Sequence, residues 1–243
     1  MIILAAMTEA TKTAWITGAG SGVGRATALA LGALGWRVVL SGRRADALAE
    51  TARLVRDAGG DPVELPLDVG AGDPAAAAAV VGGRLDALVL AAGLNHPERA
   101  WADQGMGAFE AIVQTNLLGA VRVIDAALPA LRSASGVVVI VSSIAGWRPS
   151  PGAGVAYSAS KTALVPVVRT INDQEGASGV RATHLCPGDI DSDFLQQRPS
   201  VPDAAARAVM LSPADVADAA LYAITAPPHV RIDELVLSPL SQR

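Results

Sequence analysis

Residues 13–32 read TAWITGAGSGVGRATALALG, and the order of residue types in them decides the fold. The first five are apolar or β-branched and suit a buried strand. Thr17-Gly-Ala-Gly-Ser-Gly-Val-Gly24 follows at once, and small and apolar residues at helical spacing come next. Glycines let the chain turn sharply and let its backbone approach a phosphate. The N-terminus of the helix adds unpaired N–H groups and a positive potential. The common dinucleotide pattern is G-x-G-x-x-G. Here Gly18, Gly22 and Gly24 make G-x-x-x-G-x-G, with Gly20 extra. A plain turn is the competing reading, but the strand–loop–helix context favours a phosphate cradle of Gly18, Ser21, Gly22, Val23 and Gly24.

Outward from this unit, strand-length apolar runs recur at residues 13–17, 37–41, 63–67, 87–90, 137–141, 181–185 and 234–237. Helix-like stretches lie between them at residues 23–34, 45–58, 74–81, 106–132, 155–175 and 213–224. Regular alternation of strand and helix predicts parallel strands joined by crossover helices. Near-continuous apolar strands predict a sheet covered on both faces. The expected fold is α/β, a doubly wound seven-stranded parallel sheet with helices on both faces. No repeat or long linker divides the chain, so residues 12–243 read as one domain behind a disordered extension, residues 1–11. Pro129 and Pro166 should kink or end their helices.

The bulk numbers agree. Of 243 residues 51% are hydrophobic, enough for a large core, and 17% are charged, with a net charge of −4. That balance argues against nucleic acid or an anionic membrane as a partner. A single cysteine permits no internal disulfide and fits a reducing compartment, and three histidines without ligand spacing offer no metal site. The apolar start, residues 1–7, is too short for a signal peptide or a membrane span. The expected location is the cytoplasm.

The second strand ends at Ser41-Gly-Arg-Arg44, with no acidic residue. An acidic side chain there would accept from a ribose 2′-hydroxyl, whereas a guanidinium pairs with a 2′-phosphate. Arg43 therefore points to NADP(H) over NAD(H). Either arginine could instead stack on adenine or be a solvated basic pair. Further along, Tyr157 and Lys161 are four apart on a predicted helix and share one face. A phenol is a poor acid at neutral pH, and an adjacent ammonium is expected to lower its pKa. A serine hydroxyl, from Ser142 or Ser143, could then hold the substrate oxygen. The tyrosine–lysine spacing alone is common.

Taken together, TGAGSGVG (17–24), LDV (67–69), AAG (91–93), QTN (114–116), VSS (141–143), YSASK (157–161) and CPGDIDS (186–192) resemble the short-chain dehydrogenase/reductase family over residues 12–243. The resemblance implies a Rossmann-type fold and hydride transfer between a nicotinamide cofactor and a carbonyl or secondary alcohol. It implies Tyr157 as general acid/base, Ser143 as orienter of the substrate oxygen, and Lys161 on the nicotinamide ribose. Asn116 would hold a water linking Lys161 to solvent. Asp68 and Val69 would contact adenine, Ala91, Ala92 and Gly93 would pass beneath the cofactor, and Pro187, Gly188, Ile190 and Ser192 would line the nicotinamide. The family also implies a homo-oligomer, a tetramer or dimer, acting on a small molecule. The alternatives are an NAD(H)-dependent enzyme and a dinucleotide-binding regulator without catalysis.

Three features depart from the family. Leu90-Ala-Ala-Gly93 stands where N-N-A-G is usual, so two asparagines must be replaced. Ser143 lies fourteen positions before Tyr157, where thirteen is usual. A bulge in the Gly- and Pro-rich residues 146–155 is expected to return Ser143 to Tyr157; otherwise Ser142 or no serine serves. Residues 170–175 are unusually polar for a surface that packs between subunits. Asn95, His96, Trp147, Arg148 and Asp189 are weaker candidates for the pocket mouth. His184 and Cys186 read as buried packing residues. Residues 193–211 are expected to form a mobile flap, and the tail, residues 237–243, to cross to a neighbouring subunit.

Overall fold

In the computed structural model, which describes residues 11–242, the strands are β1 (Thr13–Thr17), β2 (Arg37–Gly42), β3 (Asp61–Pro66), β4 (Ala87–Leu90), β5 (Val137–Val141), β6 (Arg181–Pro187) and β7 (Glu234–Leu237). They form one sheet, all parallel, in the order β3-β2-β1-β4-β5-β6-β7. Except for Thr11, the expected N-terminal extension lies outside the described residues. The helices are α1 (Gly22–Gly32), α2 (Ala45–Asp57), α3 (Pro74–Val81), α4 (Met106–Val113), α5 (Ala120–Ala134), α6 (Ile144–Trp147), α7 (Val155–Thr162), α8 (Leu164–Gln174), α9 (Ala204–Arg207) and α10 (Pro213–Thr225).

Side-chain alternation along the strands produces the two-sided core. Ala14 and Ile16 of β1 pack with Ala28 and Leu31 of α1 and with Val216 and Ala220 of α10. Trp15 points the other way, into a layer with Val123, Ala127 and Leu131 of α5 and Val168 of α8. Its indole N–H donates to the Ser41 hydroxyl at 2.8 Å, so the one polar atom of this buried ring is satisfied. Each buried leucine or isoleucine contributes about 1.5–3 kcal/mol. Stability therefore resides in these layers, and the glycine loop is free to serve a ligand.

Local boundaries depend on tertiary context. The third strand begins two residues earlier than its apolar run, at Asp61. As the sheet edge it is only half covered, so pairing with β2 sets its span and admits Pro62 and Pro66. Pro129 does not end α5, which continues to Ala134; the buried face of Val123, Ile124, Ala127 and Leu131 outweighs one missing backbone bond. Pro166, by contrast, lacks the N–H that the Thr162 carbonyl would need. The predicted single helix duly breaks at Ala163 into α7 and α8. Residues 106–134 are long and apolar enough to cross a membrane, yet they carry the π-helical segment Gln114–Gly119 and pack one face against the sheet.

The two halves of the sheet grow outward from the β1–β4 neighbours, so the loops leaving these strands diverge and open a crevice at their carboxyl ends.

Candidate active site

A cleft of about 980 Å³ runs along that crevice. Its first end is the β1–α1 loop. Gly18 has φ +67°, and a Cβ there would lie 2.7 Å from the Ala91 carbonyl carbon and the Ala92 nitrogen. Only glycine allows this loop to lie against the end of β4. Arg25 stiffens it from behind, donating to the Gly20 carbonyl at 2.6 Å and to the Thr51 hydroxyl at 3.0 Å. Ser21 caps α1 without a side-chain hydrogen bond to it, which leaves first-turn N–H groups for an anion. Arg43 and Arg44 sit exposed at the cleft rim, and neither forms an ion pair with a described residue. Asp68 and Val69 line the next part, with one Asp68 carboxylate oxygen accepting from the Gly70 N–H at 2.9 Å. This cradle fits the phosphates of a dinucleotide.

Without asparagine side chains, the end of β4 is tied to β1 through its backbone. The Ala91 N–H donates to the Thr17 carbonyl and the Ala92 N–H to the Thr17 hydroxyl, both at 3.3 Å. Gly93 then passes close to Lys161, Asn116 and Phe194.

At the inner end Ser143, Tyr157 and Lys161 come together. Ser143 follows β5, caps α6, and lies close enough to the Tyr157 phenol to hold its pKa down. Ser142 points elsewhere: it is buried and donates to the Lys161 carbonyl at 3.3 Å. The connection between serine and tyrosine folds as α6, a 3₁₀ turn at Pro151–Ala153 and Gly154 at positive φ. Lys161 is 4% exposed, donates to the Val141 carbonyl at 2.8 Å, and has its ammonium 5.8 Å from the Tyr157 ring centroid. Burial pulls its pKa down to about 8. Asn116 sits in the π-helical segment, where the widened turn aims its amide at the loop after β4. It accepts from the Leu94 N–H at 2.7 Å, donates to the Leu94 carbonyl at 2.9 Å, and donates to Ser160 at 3.1 Å.

The electrostatics of Tyr157 differ from the expectation. Burial pushes its phenol above the usual value, while Ser143, Arg99 and Arg198 oppose that rise. Lys161 is not among the groups that shift it. Arg99 and Arg198 were invisible to motif reasoning, because one lies in an irregular loop and the other in the flap.

The family model described as short chain dehydrogenase matches residues 12–202. The chain is a short-chain dehydrogenase/reductase. This reductase is 33% identical to an uncharacterized oxidoreductase of Staphylococcus saprophyticus, over 94% of this chain and 97% of that protein. It is 34% identical to a sulfoacetaldehyde reductase of Chromohalobacter salexigens, over 96% and 95%. Its fold matches an alcohol dehydrogenase of Thermococcus sibiricus complexed with 5-hydroxy-NADP, with TM-score 0.85, 29% identity, and 96% and 98% of the two chains covered. The protein is thus an NAD(P)-dependent oxidoreductase.

Other candidates in the reductase divide clearly. Pro187, Gly188, Ile190 and Ser192 line the cleft, as do Asn95 and Asp189. His96, Trp147 and Arg148 are not in its wall. His184 and Cys186 are buried between β6 and β7 and contact each other at 3.1 Å; burial pushes the thiol up to about 12, so it is no nucleophile. The flap touches the body at several points: Arg207 pairs with Asp191 at 2.7 Å, and Leu195 is buried. The tail also packs against its own chain. β7 ends beside Gly188, and a turn brings Gln242 back to accept from the Asp189 N–H at 2.8 Å.

Proposed function

We propose that the enzyme interconverts a carbonyl compound and a secondary alcohol with NADP(H), using Tyr157 as the acid/base. The observation that carries this reading is the convergence of Ser143, Tyr157 and buried Lys161 at the inner end of a cleft whose rim holds Arg43. When bound, the nicotinamide supplies or accepts the hydride. In reduction Tyr157 gives its proton to the carbonyl oxygen as the carbonyl carbon gains the hydride, and the Ser143 hydroxyl holds that oxygen. Tyr157 then regains a proton from solvent. Lys161 places a positive charge beside the forming phenolate and offers its remaining N–H groups to the ribose. Asn116 acts as a positioning residue, holding Leu94 and Ser160 around that pair. The preference for NADP(H) rests on Arg43, and the 5-hydroxy-NADP complex of the Thermococcus relative supports it.

Comparative kinetics on a panel of ketones with NADPH and NADH test this reading. Arg43→Asp is expected to raise the KM for NADPH about 10- to 100-fold and to change that for NADH little, the worth of one or two charge-assisted bonds to a phosphate. An unaltered cofactor ratio would remove Arg43 as the discriminating residue.

A further inference from the structure

Two guanidinium groups, from separate parts of the chain, line the cleft near Tyr157. Arg99 comes from the loop after β4. It donates to the carbonyls of His96 at 3.0 Å, Gly152 at 3.4 Å, and Gln197. Its stem passes under Gly154, where a Cβ would lie 2.7 Å from the arginine Cβ; the positive φ of +88° makes that passage possible. Gly154 begins α7 and stands three residues before Tyr157. Arg198 comes from the flap, one residue beyond Gln197, and pairs with Asp189. Phe194, on the same flap, has its ring 6.1 Å from that of Tyr157.

The arrangement has features that loop bracing does not explain. Arg99 engages only neutral carbonyls, and among the described residues no carboxylate pairs with it. Three of its five N–H groups are used, so two remain. Burial lowers the Arg99 pKa, and the nearby Arg198 charge lowers it further, so the guanidinium is held at a cost. In this part of the wall Arg99, Arg198 and Lys161 face Asp189 and Asp193, an excess of one positive charge. A partly desolvated cationic excess beside the reacting oxygen is a recognition device for an anion.

We propose that Arg99 and Arg198 form an oxyanion-binding subsite, so that the substrate is a short ketone or secondary alcohol bearing a carboxylate or sulfonate. This rests on the carbonyl-reductase reading above and deepens it. The anionic group bridges the two guanidiniums, partly displacing Asp189 from Arg198, and the carbonyl points inward to Tyr157 and Ser143. Because one arginine belongs to the body and the other to the flap, an anion also ties the flap down over the bound substrate.

The test uses NADPH with pyruvate, acetoacetate and levulinate, each beside its methyl ester, and with acetone sulfonate. For the keto acid of fitting length, kcat/KM is expected to exceed that of its ester by about 10- to 100-fold, mainly through KM. The ratio should fall as salt rises. Acetone sulfonate separates sulfonate from carboxylate recognition. Arg198→Met and Arg99→Met are each expected to bring the acid-to-ester ratio toward one, and Arg198→Lys to restore part of it. Arg99 also braces three loops, so Arg198→Met supplies the cleaner result. Esters used as well as acids by the wild-type enzyme would overturn the subsite alone. So would variants that lower both substrates by one factor, because the arginines would then only brace loops. No turnover of any acid, ester or neutral ketone, with NADPH bound, would overturn the carbonyl-reductase reading and the subsite with it.

Discussion

Replacing Tyr157 with phenylalanine is expected to lower kcat for carbonyl reduction by about 10²- to 10⁴-fold while changing NADPH affinity little. The substitution removes one hydroxyl and keeps the ring, so the 6.1 Å contact with Phe194 and the packing of α7 persist. What disappears is the proton donor beside Ser143. Stopped-flow or steady-state rates and cofactor fluorescence titration would measure the two effects separately. A variant of near wild-type rate would remove Tyr157 as the acid.

The direction of the phenol shift also predicts a pH dependence. Burial raises the Tyr157 pKa above its ordinary 10.0, so the protonated form dominates through neutral pH. That form is the donor needed for reduction. Reductive kcat/KM should therefore be flat through neutrality and fall above about pH 8, where Lys161 loses its charge, while alcohol oxidation, which needs the phenolate, should be slow at neutral pH.

Lys161→Met is expected to separate activity from stability in opposite directions. Turnover should drop by about 10²-fold or more, because the charge beside the forming phenolate is lost. The protein without cofactor should nevertheless become more stable at neutral pH. The lysine is buried and its pKa falls from 10.5 to about 8, so folding opposes its charged form. A shift of that size corresponds to about 3 kcal/mol. Leaving the Val141 carbonyl without its partner returns about 1–2 kcal/mol of that. A net gain of about 1–2 kcal/mol would raise Tm by a few degrees.

The sign with pH follows from the depressed pKa. Below about 8 the amine is protonated both folded and unfolded, and the full burial cost is present. Between about 8 and 10.5 the folded protein has released the proton and the unfolded chain still holds it, so wild-type stability rises through that window. The advantage of Lys161→Met should shrink over the same interval. Thermal melts of both proteins between pH 7 and pH 10 would show it, and a variant less stable than wild type at pH 7 would contradict the account.

Much of the architecture was legible because it is locally encoded. Ala14, Trp15 and Ile16 alternate between two core layers, and α1 buries residues at helical spacing. Boundaries failed where context overrode local pattern. β3 took its span from β2, and Pro129 was carried by the buried face around it. The thiol and imidazole of β6 were read correctly as interior because strand periodicity alone buries them. The turn of the tail toward Asp189 was not legible, because it depends on where β6 and β7 end.

By itself the sequence determined the parallel α/β sheet, the glycine loop opening α1, and the pairing of Tyr157 with Lys161 on one helical face. Each depends on residues within a few positions of one another, where strand pleat, helix pitch and glycine dihedrals set the geometry. Only the tertiary structure decided between Ser142 and Ser143, because that depends on how the turn through Gly154 sets α7 against the end of β5. Only it brought Arg99 and Arg198 to the mouth of one site. Their meeting is a property of the chain's return path across the sheet, through hydrogen bonds to Gly152 and Gln197 that no local spacing encodes.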